Sequence, residues 1–212
     1  MKTRQSGIYV IPNVCRDDHL EVEAYCDTIN GGGGWLVVQR RQDGSVDFNR
    51  NWIKYEEGFG NLTGEFWYGL RALHCLTGQG GWEMRMDIKY NDGRSIYLQF
   101  EQFKVALATE KYNLTIGGGY RGTTGGYPGN SLSSIAATHN GMLFTTKDND
   151  NDQWTGGNCT VDITQPIGGW WFNNCWSINP NHLYSDLRGI TQGSHFVGMK
   201  IRPRLSAPLQ ER

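Results

Sequence analysis

The sequence predicts an α+β fold in which strands dominate. Its 212 residues include 29 glycines and 8 tryptophans, while long amphipathic helical patterns are few, as in chains built from short strands and loops. Two segments of alternating polarity, 82–90 and 95–100, flank Asn91-Asp92-Gly93, a turn sequence typical of a β-hairpin. Beyond residue 130 there is little hydrophobic periodicity, so we expect long loops there.

The other elements follow from local patterns. A short helix ended by glycine is predicted at 51–60, and a second short helix at 65–74. The segment 197–203 reads as a last strand that returns to the main sheet. Further strands are predicted at 6–12, 21–26, 35–41, 103–107 and 112–116, with a positive-φ turn at the glycines 31–34 and a glycine-rich run at 117–129.

Composition excludes several classes of protein. The formal charge is −1, and no basic face stands out, which argues against nucleic acid or an anionic membrane as a partner. No apolar run approaches the roughly 20 residues of a membrane span. The first residues have no apolar stretch like a signal peptide behind them, so we expect a piece of a longer protein.

Cysteines and glycosylation sequons indicate an extracellular protein. The five cysteines contain no C-x-x-C pair, which disfavours a zinc or thioredoxin-type site. Asn61, Asn113 and Asn158 each begin an Asn-x-Thr acceptor pattern. We therefore expect a secreted glycoprotein.

An acidic loop is the strongest candidate for a metal site. Asp148, Asp150 and Asp152 alternate with amide side chains, and short polar side chains of this kind favour loops over helices and strands. Calcium takes six to eight oxygen ligands, so this loop predicts a Ca²⁺ site. The helix-loop-helix calcium motif is excluded because Gln153 and Cys159 stand where glycine and glutamate are needed. The alternative is a solvated acidic turn.

The region beyond residue 130 needs covalent or metal links to hold its shape. Cys159 and Cys175 flank a loop of 15 residues. If they pair, loop-closure entropy gives on the order of 3 kcal/mol.

Seven motifs, in order along residues 6–203, resemble the fibrinogen C-terminal globular domain family. They are Gly32-Gly33-Gly34-Trp35, residues 39–48, residues 58–67, His139-Asn140-Gly141-Met142, residues 148–152, residues 170–175 and residues 199–203. The resemblance implies a central twisted antiparallel sheet with short helices and a loop-rich calcium-binding lobe. It implies one domain over 1–212, with an N-terminal subdomain (about 6–34), a central sheet (35–129 plus 196–203) and a ligand-binding subdomain (130–195).

The resemblance also implies the ligands of the metal. The side chains of Asp150 and Asp152 and the carbonyl oxygens of Trp154 and Gly156 would hold Ca²⁺, with water completing the shell. Asp148 would be outer-sphere or structural. The segment from Asp152 to Cys159 is one residue longer than in many relatives, so Gly157 is the alternative for the second carbonyl.

Two covalent features are implied in the same way: a Cys159–Cys175 disulfide and a cis peptide at Asn174–Cys175. Cys26 fits the family's N-terminal disulfide position, but the usual partner is absent, which leaves Cys15 and Cys75 as candidates. A Cys15–Cys26 pair is preferred because both residues flank the same early hairpin.

The ligand pocket departs from that of the lectin-like members, which hold an acetyl group in an aromatic cage beside a histidine. Trp176 stands at the histidine position, Ile163 at a tyrosine position, and the span from Tyr184 to Met199 is shorter than usual. We expect a different apolar site formed by Trp176, Trp171, Phe172 and Tyr184, with Ile163 and the Asn174–Cys175 peptide beside it. Alternatively, Trp170, Trp171 and Phe172 belong to the core.

The leading functional hypothesis is a secreted, calcium-stabilised recognition domain that binds glycans or microbial surface ligands in innate immunity. The alternative is a domain of an angiopoietin-like or extracellular-matrix protein that binds a protein receptor. An enzyme is disfavoured because the five histidines lack H-E-x-x-H spacing and no G-x-S-x-G or phosphate-binding glycine loop is present. Relatives commonly oligomerise through stalks, so a homo-oligomer formed by segments outside this chain is also expected.

Overall fold

A computed structural model describes residues 5–11, 22–123, 132–161, 167–175, 178–186 and 193–204. The strands are β1 Gly7–Ile11, β2 Val22–Asp27, β3 Trp35–Arg41, β4 Phe59–Gly60, β5 Phe66–Trp67, β6 Trp82–Tyr90, β7 Ser95–Val105, β8 Leu114–Thr123 and β9 Ser194–Pro203. The helices are α1 Trp52–Glu57, α2 Leu70–Thr77 and α3 Leu132–His139, and short 3-10 turns lie at Asn30–Gly32, Ala108–Glu110 and Tyr184–Asp186.

The described strands form one antiparallel sheet. Its order is β1-β2-β3-β9-β6-β7-β8, and β5 adds to β3 and carries β4. The last strand, β9, lies between β3 and β6 at the centre, so the end of the chain completes the sheet. This confirms the α+β prediction and the expected return of the final strand.

The β6–β7 hairpin shows how sequence pattern sets the register. Asn91-Asp92-Gly93 turns the chain, with Gly93 at a φ of 86°, and Met84 pairs with Phe100. Met84, Met86 and Ile88 are buried on one face, whereas the residues between them point to the other face. The hairpin prediction is therefore confirmed.

Three expectations about secondary structure are wrong in part. The predicted helix at 65–74 begins only at Leu70, because Phe66 and Trp67 pair with Arg40 and Gln39 as buried strand β5. Residues 117–123 of the glycine-rich run belong to β8, held by their pairing with β7. Helix α3 lies within a region that was expected to be loop.

No helix among the described parts of the chain is long and apolar enough to cross a membrane.

A buried ion pair joins the sheet to the loop-rich part of the chain. The Glu65 carboxylate, 1% exposed, accepts hydrogen bonds from the backbone N–H groups of Gln42, Asp43, Gly44 and Val46 at 2.7–3.1 Å. Its Oε1 lies 3.6 Å from Nε of Arg41.

Arg41 extends this link to a distant segment. Its Nη1 donates to the carbonyl oxygens of Pro180 and His182, at 3.0 and 2.7 Å. Amide side chains continue the contact, since Gln39 donates to Asn181, and Asn179 and Asn181 donate to the carbonyls of Gly168 and Gly169. Buried polar groups of β3 thus position the segments at 167–169 and 178–182.

His139, at the end of α3, is buried against Trp170 and Trp171. Its Nδ1 lies 2.9 Å from the carbonyl oxygen of Trp171, so Nδ1 carries the proton of the neutral ring. Nε2 is buried without a hydrogen-bond partner among the described residues. Burial lowers the pKa of His139, and the hydrogen bond to Trp171 offsets this only in part.

Replacing Glu65 by glutamine tests the buried ion pair. Glu65→Gln leaves Arg41 without its counter-charge and places an amide among N–H donors, so we expect a loss of about 3 kcal/mol in unfolding free energy. Urea denaturation measures it. Glu57→Gln is the matched control, because the Lys54–Glu57 pair is solvent-exposed and contributes only a few tenths of a kcal/mol, by the usual ~0.3 kcal/mol for such pairs. Equal urea midpoints for Glu65→Gln and Glu57→Gln would contradict a stabilising role for the buried ion pair.

His139 makes stability depend on pH. Because its folded pKa lies below the ordinary value of 6.5, the unfolded chain binds the proton first on acidification. The stabilisation is present above pH 6.5 and is lost as the pH falls towards the folded pKa.

His139→Asn keeps a donor for the Trp171 carbonyl but cannot titrate. We expect this variant to be less stable near neutrality, because ring packing against Trp170 is lost, and to lose less stability between pH 7.5 and 5.5. Urea denaturation at both pH values checks this, and an unchanged pH dependence would refute it.

Candidate functional site

The acidic loop keeps its shape through short-range hydrogen bonds of its own polar side chains. Thr146 and Asn149 exchange backbone hydrogen bonds in a tight turn. Asn151 Nδ2 donates to the carbonyl oxygen of Phe144, and Asn158 Nδ2 donates to that of Thr146. Alternating Asp and Asn residues therefore satisfy a backbone that forms neither helix nor strand.

Asp148 connects this loop to α1. Its Oδ1 accepts hydrogen bonds from the backbone N–H of Trp52 at 2.9 Å and from the hydroxyl of Thr146 at 2.8 Å. The carboxylate thus caps the start of the helix. Its position agrees with a structural role.

Asp150 and Asp152 lie close together at the surface. Asp150 is exposed, and its Oδ1 accepts only a long 3.3 Å hydrogen bond from the backbone N–H of Asp152. Asp152 Oδ1 accepts from Trp154 N at 2.8 Å, and Oδ2 from Cys159 N at 2.7 Å. Burial, and after it the neighbouring carboxylate of Asp150, raises the pKa of Asp152.

This donor set fits a hard cation. Neither Asp150 nor Asp152 makes an ion pair with a described Lys or Arg, so no described cation compensates the negative charge of the pair. The described residues hold no cluster of three or more acidic, His or Cys metal ligands. Carbonyl oxygens and water would therefore have to supply most of the shell, as Ca²⁺ allows.

Trp154 and Gly156, the two expected carbonyl ligands, lie in the same exposed turn. The Trp154 indole is 40% exposed and covers Gly156 so closely that a Cβ there would lie 2.8 Å from the ring. Gly157 has a φ of 150°, a conformation that favours glycine. Both glycines are thus required by the local geometry of this turn.

A disulfide and two backbone contacts join the acidic loop to the segment at 167–175. Cys159 and Cys175 are bonded and buried, with their Cα atoms 5.0 Å apart. Thr145 pairs with Trp170, and Gln153 N donates to Asn173 O at 2.9 Å. The expectation of a cis peptide at Asn174–Cys175 is wrong: this bond is trans, and the chain turns at Cys175, which has a φ of 59°.

Several residues expected to line a ligand pocket have other positions. Phe172 is 3% exposed within the core, so the prediction that it contacts a ligand is wrong. Tyr184 packs against Gly44, and its hydroxyl donates to the carbonyls of Gln42 and His195, so it joins the lobe to the sheet instead of facing a ligand. Asn174 is exposed, whereas Cys175 is buried. Trp176 and Ile163 lie outside the described residues.

Trp170 and Trp171 belong to the core, as the alternative interpretation held. Both are buried, and their rings pack edge to face at 5.1 Å. Trp171 Nε1 donates to the carbonyl oxygen of Tyr112 at 2.7 Å. These rings support the loops from beneath and do not line a binding surface.

The remaining cysteines differ from the preferred pairing. Cys26 is a thiol whose S–H donates to the carbonyl oxygen of Ala24, at 4.0 Å. Cys75 is disulfide-bonded, and it lines the same cleft as Val22 and Glu23, the first residues after 12–21. The predicted Cys15–Cys26 disulfide is therefore wrong. Cys26 lies in β2, where it pairs with Gly7 of β1 and Leu36 of β3. Cys15 itself lies outside the described residues.

The three sequons differ in accessibility. Asn61 is exposed, and its Oδ1 accepts from Thr63, which leaves the Nδ2 directed to no described acceptor. Asn113 and Asn158 are half-buried, and their Nδ2 groups donate to the carbonyls of Gly141 and Thr146. Asn61 is thus the sequon with a free amide group.

Arg41, Glu65, Asn179 and Asn181 position the lobe and were not singled out as site residues from the sequence. The sequence feature that could have identified them is Gln39-Arg40-Arg41, which places three polar residues in a strand that is otherwise hydrophobic. All three proved to be buried. Polar residues at positions that a sheet should bury are candidates for such a network.

Comparison with known proteins gives consistent results. Residues 2–203 match the family described as fibrinogen beta and gamma chains, C-terminal globular domain. Bovine fibrinogen-like protein 1 is 43% identical over 187 residues, which cover 85% of this chain and 57% of the relative. Human ficolin-3 is 39% identical over 180 residues, covering 85% of this chain and 55% of the relative. This chain thus spans little more than half the length of these relatives.

Solved structures agree in fold. The fibrinogen-like globe domain of human ANGPTL2 superposes with a TM-score of 0.81 at 34% identity, covering 95% of this chain and 94% of that one. Lamprey fibrin D-dimer, complexed with the peptide ligand Gly-His-Arg-Pro-amide, gives 0.76 at 28% identity, covering 100% of this chain and 74% of the other. Together with the sheet order and the disulfide-closed lobe, the match over residues 2–203 shows that the chain belongs to the fibrinogen C-terminal globular domain family.

Proposed function

We propose that this chain is an extracellular, calcium-stabilised recognition domain that binds glycans or microbial surface ligands through its loop-rich lobe. One observation carries the proposal: the acidic loop and the segment at 167–175 are linked into one unit. The links are the Cys159–Cys175 disulfide, the Thr145–Trp170 pairing and the Gln153–Asn173 hydrogen bond. Exposed loops on a rigid support are the usual place for ligand contacts.

Calcium is proposed as the cofactor of this lobe. Asp150 and Asp152 would hold it with their side chains, together with the carbonyl oxygen of Trp154 and that of Gly156 or Gly157. The ion would neutralise two carboxylates that the protein leaves without a described cation. Asp152 also accepts from Cys159 N, so ordering the acidic loop would order the disulfide beside it.

Location outside the cell is proposed on chemical grounds. Disulfides persist in oxidising compartments and are rare in the cytosol, and this chain contains the Cys159–Cys175 bond and a bonded Cys75. The exposed Asn61 amide suits a glycan, as expected of a secreted glycoprotein. Oligomerisation through segments beyond this chain would add avidity to weak single sites.

A protein ligand is the second candidate. The lamprey fibrin neighbour is complexed with a peptide, and the ANGPTL2 globe domain has the same fold at 34% identity. Trp171 and Phe172 are buried and the hydroxyl of Tyr184 is bonded to the sheet, so three of the aromatic side chains expected in a glycan site are not available. A receptor-binding domain of an angiopoietin-like or matrix protein is therefore the alternative. A binding role, and not catalysis, is common to both candidates.

Calcium should raise the thermal stability of this domain. A ligand at 100 times its Kd stabilises the folded state by about 2.7 kcal/mol, so Tm should rise with CaCl₂ and fall again with EDTA. Asp150→Asn should abolish most of this response, because it removes one negative charge while its amide oxygen can still accept the 3.3 Å hydrogen bond from Asp152 N. Differential scanning calorimetry measures both effects.

Asp43→Asn is the matched control for that experiment. Asp43 is an exposed aspartate whose Oδ1 accepts from the backbone N–H two residues later, like that of Asp150, but it lies in another turn. It should respond to calcium as the parent protein does. A parent protein without a calcium response, or an equal response of Asp150→Asn, would exclude the proposed site.

Binding assays can distinguish a glycan ligand from a protein ligand. We expect retention on acetylated resin or on a glycan array in CaCl₂, and loss of it in EDTA. Asn174→Ala should weaken glycan binding roughly tenfold, the usual effect of losing a polar ligand contact, with an unchanged Tm because Asn174 is exposed. Asn61→Ala, an exposed asparagine elsewhere, is the control. Binding to a single cell-surface protein with no glycan bound would favour the receptor alternative.

A further inference from the structure

The sheet has a charged outer face opposite its core. Along β6, the buried residues Met84, Met86 and Ile88 alternate with Glu83, Arg85, Asp87 and Lys89, which point away from the core. Residues paired across antiparallel strands share a face, so Arg202, Lys200, Gly198 and Phe196 of β9 lie on the same side. We define the outer face as this side of β3, β9, β6, β7 and β8, including Asp27 and Tyr25 at the end of β2.

Positive charge is concentrated on the outer face. One cleft, of about 690 Å³, is lined by Arg40, Arg85, Lys89 and Lys200 together with Asp27 and Asp87. A second cleft, of about 560 Å³, is lined by Arg121, Arg202 and Arg204 together with Glu83 and Glu101. Seven cations thus face four carboxylates, a formal excess of +3 on a chain whose net charge is −1.

Two of the four carboxylates, Asp87 and Glu101, are each shared by two cations, whereas Asp27 and Glu83 each form an ion pair with one. Asp87 is bonded by both Arg85, at 2.8 Å, and Lys200, at 2.6 Å. Glu101 lies 3.7 Å from Arg121 and 3.4 Å from Arg204.

The other two of the seven cations, Arg40 and Lys89, form no ion pair with a carboxylate among the described residues. Arg40 donates instead to the carbonyl oxygens of Leu62 and Gly64, and Lys89 is exposed. Because Arg40 is buried, the cations that a ligand can reach are chiefly Lys89 and the exposed pair Arg121 and Arg204, which share one carboxylate.

Aromatic rings hold these cations in place before any ligand arrives. The guanidinium groups of Arg85 and Arg40 lie 3.8 and 4.3 Å from the ring centroids of Tyr97 and Tyr25. Lys89 Nζ lies 5.0 Å from the ring of Phe196. Side chains that are already ordered lose less conformational entropy on binding, so the face is prepared for anions.

Gly198 lies in the middle of the outer face and is covered by the ring of Phe196. It lies in the same row as Arg40 and Asp87, and its neighbour along the strand, Phe196, leans over it. A Cβ at Gly198 would lie 3.1 Å from the Phe196 ring, so a side chain there would push that ring aside. Gly198 thus lets the Phe196 ring pack close to the sheet between Arg40 of β3 and Asp87 of β6.

We propose that the outer face is a binding site for a sulfated saccharide chain, separate from the loop-rich lobe. Five of the seven cations are arginines, whose planar fork of N–H donors matches sulfate and carboxylate oxygens. Half-buried Tyr97 and Phe196 offer apolar surface to sugar rings. An acidic peptide is less favoured, because a sheet face presents no free backbone N–H and C=O groups for a peptide to pair with.

Binding of a heparin-derived octasaccharide by isothermal titration calorimetry tests the proposal. Lys89→Glu/Arg121→Glu, which reverses a charge in each cleft, should bind at least roughly tenfold more weakly, since close charge pairs across an interface contribute strongly. Both side chains are exposed, so the variant should fold with an unchanged Tm. Affinity of the parent protein should fall as NaCl rises, because salt screens these charges.

Lys54→Glu/Arg71→Glu is the matched control, with the same change in net charge at exposed cations on α1 and α2. It should bind the octasaccharide like the parent protein. Equal weakening of both variants would overturn the proposal, as would binding of poly-glutamate without binding of the octasaccharide. Binding in EDTA should match binding in CaCl₂. Loss of octasaccharide binding in EDTA would place the ligand at the acidic loop and overturn the proposal. Unchanged binding in EDTA supports the proposal whether or not the domain binds calcium.

Discussion

The structure depends on one buried carboxylate. Glu65 accepts four backbone hydrogen bonds from the turn after β3 and faces Arg41, which in turn holds the carbonyls of Pro180 and His182. Two charges at this depth are stable only when their hydrogen-bonding capacity is satisfied, and here the backbone satisfies most of it. The same contacts fix the turn, strand β3 and a distant segment, because Pro180 and His182 follow Arg41 by 139 and 141 residues in the sequence. The loop-rich lobe is thereby anchored to a rigid sheet.

The loop-rich lobe is held together by a few specific side-chain contacts and a disulfide, and not by regular β-sheet hydrogen bonding. Trp170 and Trp171 fill the space beneath it, His139 caps the Trp171 carbonyl, and the Cys159–Cys175 bond closes its loop. Loops built in this way leave their outer residues unpaired and available for ligands. Asp150 and Asp152, which have no ion-pair partner among the described residues, lie at that exposed rim, where a bound cation would act on the shape of the loop without needing to touch a ligand.

The sheet separates two chemically different surfaces. Its inner face is apolar and packs against the helices and tryptophans, whereas its outer face carries alternating charges supported by aromatic rings. Period-two alternation is sufficient to produce both from the same strands. A domain of this size can therefore present two independent recognition surfaces, one on loops and one on strands.

The sequence by itself determined the hairpin at Asn91-Asp92-Gly93, the short helix after Asn51, the strand-rich class and the character of the acidic loop, because each depends on residues that are neighbours in the chain. Its motifs also identified the family. The helix after Asn51 is shorter than the predicted 51–60, because Phe59 and Gly60 pair with β5. Tertiary structure decided what depends on distant partners: Phe66 and Trp67 form a strand because β3 pairs with them, and Phe172 is core because the lobe folds over it. The roles of Tyr184 and Arg41 were likewise set by contacts across the fold, which local patterns do not encode.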